Sequence, residues 1–323
     1  MTKAFPLILL ITLYLIIILG TFYILPYIPA ELCLGTNCSL YPVGSGHNDY
    51  FSFIVSCFTP SEKRPVASSL MVEDTEESNF EVPEKTDQIT VPLKNISISN
   101  ETDYAIDIEE LMKDYTPPKK NTDEPQILII HTHATESFEG TAGRSLDSHK
   151  NMVEVGRVFK ESLTKRGFSV IHDTTYHDYP NYNGSYVNSH KTVEKILNEN
   201  PSVNIVFDLH RDGISDSKGV PLKLTADFNS QTVAKLMFVV GTDAGGLNHP
   251  DWKENLKFAI GLQSHLSGIC DSIMRPVNLR NERFNQHLSP AYLIVECGTN
   301  GNSLEEALRS VQILALALEN YIN

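Results

Sequence analysis

Three short apolar runs constrain this chain more than any other feature, because each breaks off in imidazole or charged side chains. Ile127–Ile130 stops in His131, Thr132, His133, Ala134, Thr135 and Glu136. The run from Val203 to Leu209 contains Asp208 and stops in His210, Arg211 and Asp212. Ala291 to Val295 stops in Glu296, Cys297 and Gly298. Apolar runs this short read as buried strands. Between and around them lie further strands, Phe168 to His172 and Lys235 to Val240, and stretches of helical period. Asn151 to Arg166 puts Val155, Val158, Phe159 and Leu163 on one face and ends at Gly167, a C′ glycine. Tyr186 to Asn198, Asp251 to Cys270 and Ser303 to Tyr321 complete the set. Ser303 followed by Glu306 makes a capping box. Strands alternating with helices predict an α/β fold: a mostly parallel twisted sheet with helices on both faces.

Parallel strands gather their carboxyl ends at one edge, where open α/β sheets place their ligands. Chance would scatter polar groups over both edges. Here three strands deliver His131 or His133 with Glu136, His210, and Glu296 to the same edge. Imidazole nitrogen and carboxylate oxygen are the donors of a catalytic zinc, which keeps one position for water and lowers its pKa to about 7. The chemistry that fits is metal-assisted hydrolysis, with Glu296 as the carboxylate that moves the proton. A Glu296 bonded to backbone or to Arg211 is the blander alternative. Arg211 is read as a clamp for a substrate carboxylate or an oxyanion, or else as a structural partner of Asp208 or Asp212. The loop before the last strand carries Arg283, Asn285, Gln286 and His287, and is expected to line the cleft. His172 and His177 are expected at the surface, with support of the site or contact with substrate as the alternative, and His249 at the start of the long helix.

The remainder of the chain is different material. Of 323 residues, those from Ala4 to Ala30 include no charge. A bilayer span needs about 20 apolar residues. Lys3 precedes this stretch and Glu31 follows it, which orients the N-terminus to the cytoplasm and the rest outward. No small-x-small site follows Tyr23, so residues 1–30 read as an anchor rather than a cleaved signal. Residues 31–124 form the second segment. From 61 on it is rich in Glu, Asp, Ser, Thr and Pro and reads as a disordered acidic spacer, although Ile106 to Met112 has an amphipathic pattern that suits a docking helix. Residues 125–323 form the globular domain. A net charge of −14 excludes nucleic-acid phosphate as a partner. Cys33, Cys38, Cys57, Cys270 and Cys297 include no CxxC pair, which argues against a cysteine-rich zinc site. No GxSxG elbow is present for a serine hydrolase.

The motifs HTHATESF, FDLHRDG, NHPDWKENL and RFNQHLSPAYLIVECGTNGNSLEEA, with the N-terminal anchor, resemble the stage II sporulation protein P family. The resemblance runs from about Gln126 to Asn323. It implies the fold of the zinc-dependent N-acetylmuramoyl-L-alanine amidases and a membrane-bound, extracytoplasmic enzyme acting in forespore engulfment. The implied bond is the amide between N-acetylmuramic acid and L-alanine of the peptidoglycan stem, with peptide cross-links as a second target. The implied cofactor is Zn2+, and the implied partners are stage II sporulation proteins D and M. By position His210 matches the second histidine ligand and Glu296 the catalytic carboxylate. The first histidine is His133 or His131. The glutamate ligand is Glu136, with Asp147 and His149 as alternatives where the amidases carry theirs. The competing function is a non-catalytic membrane-anchored scaffold that holds peptidoglycan in the same cleft without a metal.

Overall fold

The computed structural model describes residues 80–84 and 90–323. The anchor, Cys33, Cys38, Cys57 and residues 61–79 and 85–89 of the acidic spacer lie outside the described residues. Among the described residues no helix is long and apolar enough to cross a membrane.

The structure is mixed α/β, built on a seven-stranded sheet. In chain order the elements are β1 (Ile98–Asn100), α1 (Ile108–Met112), β2 (Ile127–Ile130), α2 (Met152–Lys165), β3 (Val170–His172), α3 (Ser185–Glu199) and β4 (Ile205–Asp212). They continue with β5 (Thr225–Phe228), β6 (Gln231–Ala234), β7 (Leu236–Gly241), α4 (Trp252–Ile269), β8 (Val277–Arg280), β9 (Ala291–Thr299) and α5 (Leu304–Ile322). The sheet order is β1-β8-β7-β9-β4-β2-β3, and β5 and β6 form a separate hairpin. β9, β4, β2 and β3 are mutually parallel, as are β1, β8 and β7, but β7 meets β9 antiparallel. The sheet is therefore two parallel halves of opposite sense. The expected common edge holds for β2, β4 and β9 and fails for β7. The reason is the connection: a hairpin rather than a helix joins β4 to β7, and parallel re-entry normally takes a crossover helix.

The helices stop where their local signals place them. Gly167 sits at φ +78°. Its N–H donates to Thr164 O and that of Phe168 to Leu163 O, at 2.9 and 3.1 Å, closing a Schellman motif. Ser303 and Glu306 make the reciprocal capping box.

Alternation along the strands sorts side chains to two faces. Ile127 and Ile129 of β2, Ile205, Phe207 and Leu209 of β4, and Leu293 and Val295 of β9 join α2, α4 and α5 in the main core. On the other face Leu128, Ile130, Val206 and Tyr292 pack under Val193, Ile196 and Leu197 of α3. That second face also carries Asp208, His210 and Glu296.

The stretch from residue 90 to 124, expected to be spacer, lies on the domain instead. Val91 N–H donates to Ser264 O, and Ser264 Oγ–H donates back to Val91 O. β1 adds an edge strand to β8. Tyr104 stacks on Trp252 at 5.0 Å and donates its hydroxyl to Asp243 at 2.7 Å. Ile106, Ile108, Leu111 and Met112 pack on the main core. The apolar residues here are too sparse to build a core and sufficient to cover one.

Candidate active site

β4 and β9 lie side by side with His210 opposite Glu296 in register. Ile130, at the end of β2, pairs with Asp208 of β4, so the residues following β2 run on beside His210. Three elements thus meet at one point of the second face.

Asp208 is the most heavily bonded group there and is 1% exposed. It accepts from Thr132 N–H at 2.8 Å, Thr132 Oγ–H at 2.6 Å and Tyr292 Oη–H at 3.3 Å. His210 Nε2 lies 3.1 Å from its Oδ1, but off the hydrogen-bond direction, since this nitrogen has no aligned partner. Protonation of the ring makes this contact an ion pair. On the other side of the ring, Nδ1 is 3.5 Å from Glu136 Oε2. Burial disfavours charge on the imidazole. The two carboxylates outweigh it and raise the pKa of His210 well above the ordinary value. Burial likewise pushes Asp208 up, but His210 and the Thr132 donors bring it down to about 2. Glu136 follows the same pattern and is held low by His210 and Arg211 against its burial.

His133 completes this group. Its ring meets His210 edge-on at 5.3 Å and stacks on Tyr182 at 4.5 Å. Burial first, and then His210, lower its pKa to about 4, so it is a neutral donor. Its buried Nδ1 has no hydrogen-bond partner. Glu296 has a buried Oε2 without a partner, and burial pushes its carboxyl up to about 8. His133, Glu136 and His210 are donors of the types a zinc site uses, and the unpartnered, buried His133 Nδ1 fits that use. As the side chains stand, no three His, Cys, Asp or Glu among the described residues are close enough to hold a metal. His210 lies between the two carboxylates, 3.1 Å from Asp208 and 3.5 Å from Glu136.

Other expected site residues are engaged elsewhere. His131 is fully buried on the main-core side, with Nε2 2.8 Å from His172 Nε2 and Nδ1 3.4 Å from Leu209 O. This corrects the expectation of a surface His172. His177 is buried too, between His131 O and Thr192. The Arg211 guanidinium donates to Ser137 O at 2.8 Å and Gly143 O at 2.5 Å, so neither Asp208 nor Asp212 is its partner. Its backbone N–H donates to Glu136 at 3.1 Å. Asp212 pairs with Arg275 at 2.7 Å. Asn285 donates to Tyr186 O and Ser189 Oγ, and Gln286 brackets β7 through Gly241 N–H and Val239 O. His287 stacks on His190 at 5.4 Å. These three side chains support the loop rather than line the cleft. Asp147 and His149 are exposed and paired with Lys150 and Glu154. His249 bonds Asn255 at the start of α4, as expected.

The sequence reading missed Asp178, Tyr182 and Tyr186 around His133, and Arg275, Asn278 and Arg280 beyond Glu296. The alternation V-N-L-R in β8 was the available signal for Asn278 and Arg280.

A family described as stage II sporulation protein P matches residues 47–319. The chain belongs to the stage II sporulation protein P family. The match reaches some 80 residues N-terminal of Ile127, farther than the motifs suggested, and takes in the strap of β1 and α1 as well as the site. Comparison with curated proteins finds no match. Among solved structures, the apo N-acetylmuramyl-L-alanine amidase of Mycobacterium abscessus is similar at 13% identity and a TM-score of 0.38, covering 62% of this chain and 100% of its own. An N-acetylmuramoyl-L-alanine amidase of Nostoc punctiforme is 12% identical at 0.38, covering 62% and 96%. That of Clostridium difficile 630 is 14% identical at 0.34, covering 61% and 95%.

Proposed function

We propose that this member of the stage II sporulation protein P family is a cell-wall hydrolase of sporulation, and specifically a zinc-dependent amidase. It cleaves the bond between N-acetylmuramic acid and L-alanine of the peptidoglycan stem, with peptide cross-links as a second target. Residues 1–30 anchor it in the membrane with the domain outside, and stage II sporulation proteins D and M are its partners. The observation that carries the reading is the meeting of His133, Glu136 and His210 on one sheet face with a separate, unpaired Glu296.

His133, Glu136 and His210 would hold the zinc. When bound, the ion supplies a polarising charge and brings the pKa of a water to about 7. Glu296, with its buried and unpartnered Oε2, is the carboxylate placed to move a proton. It takes the proton of the attacking water and returns it to the leaving nitrogen. The Arg211 backbone N–H orients Glu136, and the Asp208 carboxylate lies 3.1 Å from the His210 ring.

The test is metal content of the purified full chain together with release of stem peptide from muramoyl-peptide substrate, with and without chelator. One zinc per chain and activity restored by zinc after chelation are expected. Glu296→Gln should keep the metal and lose about 10²- to 10⁴-fold in kcat. His210→Ala should lose both. A folded His210→Ala protein that still hydrolyses would refute the site. A folded, metal-free wild type without cleavage would favour the scaffold alternative.

A further inference from the structure

The second face of the sheet is covered over only part of its width. α3 packs over β2, β4 and the start of β9 through Val193, Ile196 and Leu197. Past that point Met237, Val239 and Ile294 pack against Tyr186, from the first turn of α3, and Phe284. A cavity of about 260 Å³ remains there. Glu296 forms one end of it, so the space opens from the proposed reaction centre and runs across β7 to β8.

Two features say what that space is built to hold. The first is a pair of buried acceptors without partners: Glu296 Oε2 and Asn278 Oδ1, both in the cavity wall. A buried oxygen left without a donor costs about 1–3 kcal/mol, so the donors are expected to come from a ligand, and peptide N–H groups are of the right kind. The second is a pair of guanidinium groups, each already paired with carboxylates. Arg275 and Arg280 both line the cavity. Arg275 is tied to Asp212. Arg280 Nε sits 3.3 Å from Glu101 and 3.1 Å from Glu282, whose side chains are 46% and 57% exposed. Such exposed pairs are weak. A guanidinium with five donors can exchange one of them for a carboxylate that arrives on a ligand.

We propose that this cavity is the subsite for the peptide arm of the substrate, an extended acidic peptide attached to the amide cleaved at Glu296. Its apolar floor of Met237, Val239 and Ile294 takes an aliphatic side chain. Asn278 bonds a backbone amide of the arm, and Arg280 takes a carboxylate. The assignment rests on the hydrolase reading and adds the part of the substrate that reading leaves open.

The experiment compares two muramoyl peptides that differ only in their side-chain carboxylates, free in one and carboxamide in the other. Wild-type full chain should favour the acidic substrate about tenfold or more in kcat/KM, the range of a charge-assisted hydrogen bond. Arg280→Gln should collapse that ratio toward one, chiefly through KM, while Arg280→Lys keeps part of it. Asn278→Ala should raise KM on both substrates and leave the ratio in place. A wild type without preference, or an Arg280→Gln variant that keeps the ratio, overturns the subsite. Should wild type cleave neither substrate, the hydrolase reading fails by itself. Calorimetry with the free acidic peptide then decides the subsite: binding weakened about tenfold in Arg280→Gln upholds it, and equal or absent binding overturns it.

Discussion

Gly156 of α2 has no room for a side chain, because a Cβ there would run into both imidazoles of the His131–His172 pair. Gly156→Ala is therefore expected to destabilise the fold by about 1–3 kcal/mol, the usual cost of overpacking, even though alanine favours helix; urea unfolding would measure it. The same pair makes a pH prediction. Burial, and then His172, hold His131 down to about 3, while burial and Lys160 hold His172 to about 4. Both fall below the 6.5 of a free histidine, so the unfolded chain binds more protons than the folded one in the interval between. Stability is then fully present above about pH 6.5 and is lost as pH falls through 4 toward 3, at up to about 1.4 kcal/mol per pH unit for each histidine. Urea midpoints across that range should show the slope, and His172→Gln should flatten it. At this scale the sequence was informative about residue type and ambiguous about direction. His131 and His133 are two apart and belong to one motif, yet one serves the core and the other the site. What decides between them is the partner each meets, and His172 lies 41 positions away from His131.

Among the elements, the strap formed by β1 and α1 departs most from its sequence reading. It comes from an acidic stretch in which the amphipathic pattern of Ile106 to Met112 marked α1 as a docking helix, while β1 carried no such pattern and pairs on the free edge of β8. A fragment beginning at residue 126 would leave Val277, Leu279 and the α4 surface without Ile98, Leu111 and their neighbours. Such a fragment is expected to lose several kcal/mol relative to one beginning at residue 90, since a well-buried aliphatic side chain contributes about 1.5–3 kcal/mol and a half-buried one correspondingly less. Thermal melts of the two fragments would check this. Helices with strong end signals were far more legible. Ser303 with Glu306, and Gly167 after Arg166, act within a few residues of chain and depend little on tertiary context. β5, β6 and β8 lacked such signals, and β8 has just four residues.

For the whole molecule, the sheet of two opposed halves keeps β2, β4 and β9 adjacent, which is why their shared edge could be anticipated while the sense of β7 could not. Direction of re-entry depends on a long-range connection that apolar periodicity does not encode. A metal at His133, Glu136 and His210 would bind the folded chain alone and so raise its melting temperature. Zinc at about a thousandfold over its dissociation constant should stabilise by about 4 kcal/mol. His133→Ala or Glu136→Ala should abolish most of that rise, and differential scanning calorimetry reads it without any substrate. β9 also has a consequence for how the molecule comes into being. It is the last strand in the chain and the one that sits between β4 and β7. During synthesis the two halves have no shared member until residues 291–299 emerge, and Glu296 is delivered by the strand that joins them. Closing the sheet and delivering the Glu296 carboxylate to the proposed site are thus one event, and a chain halted before it lacks both.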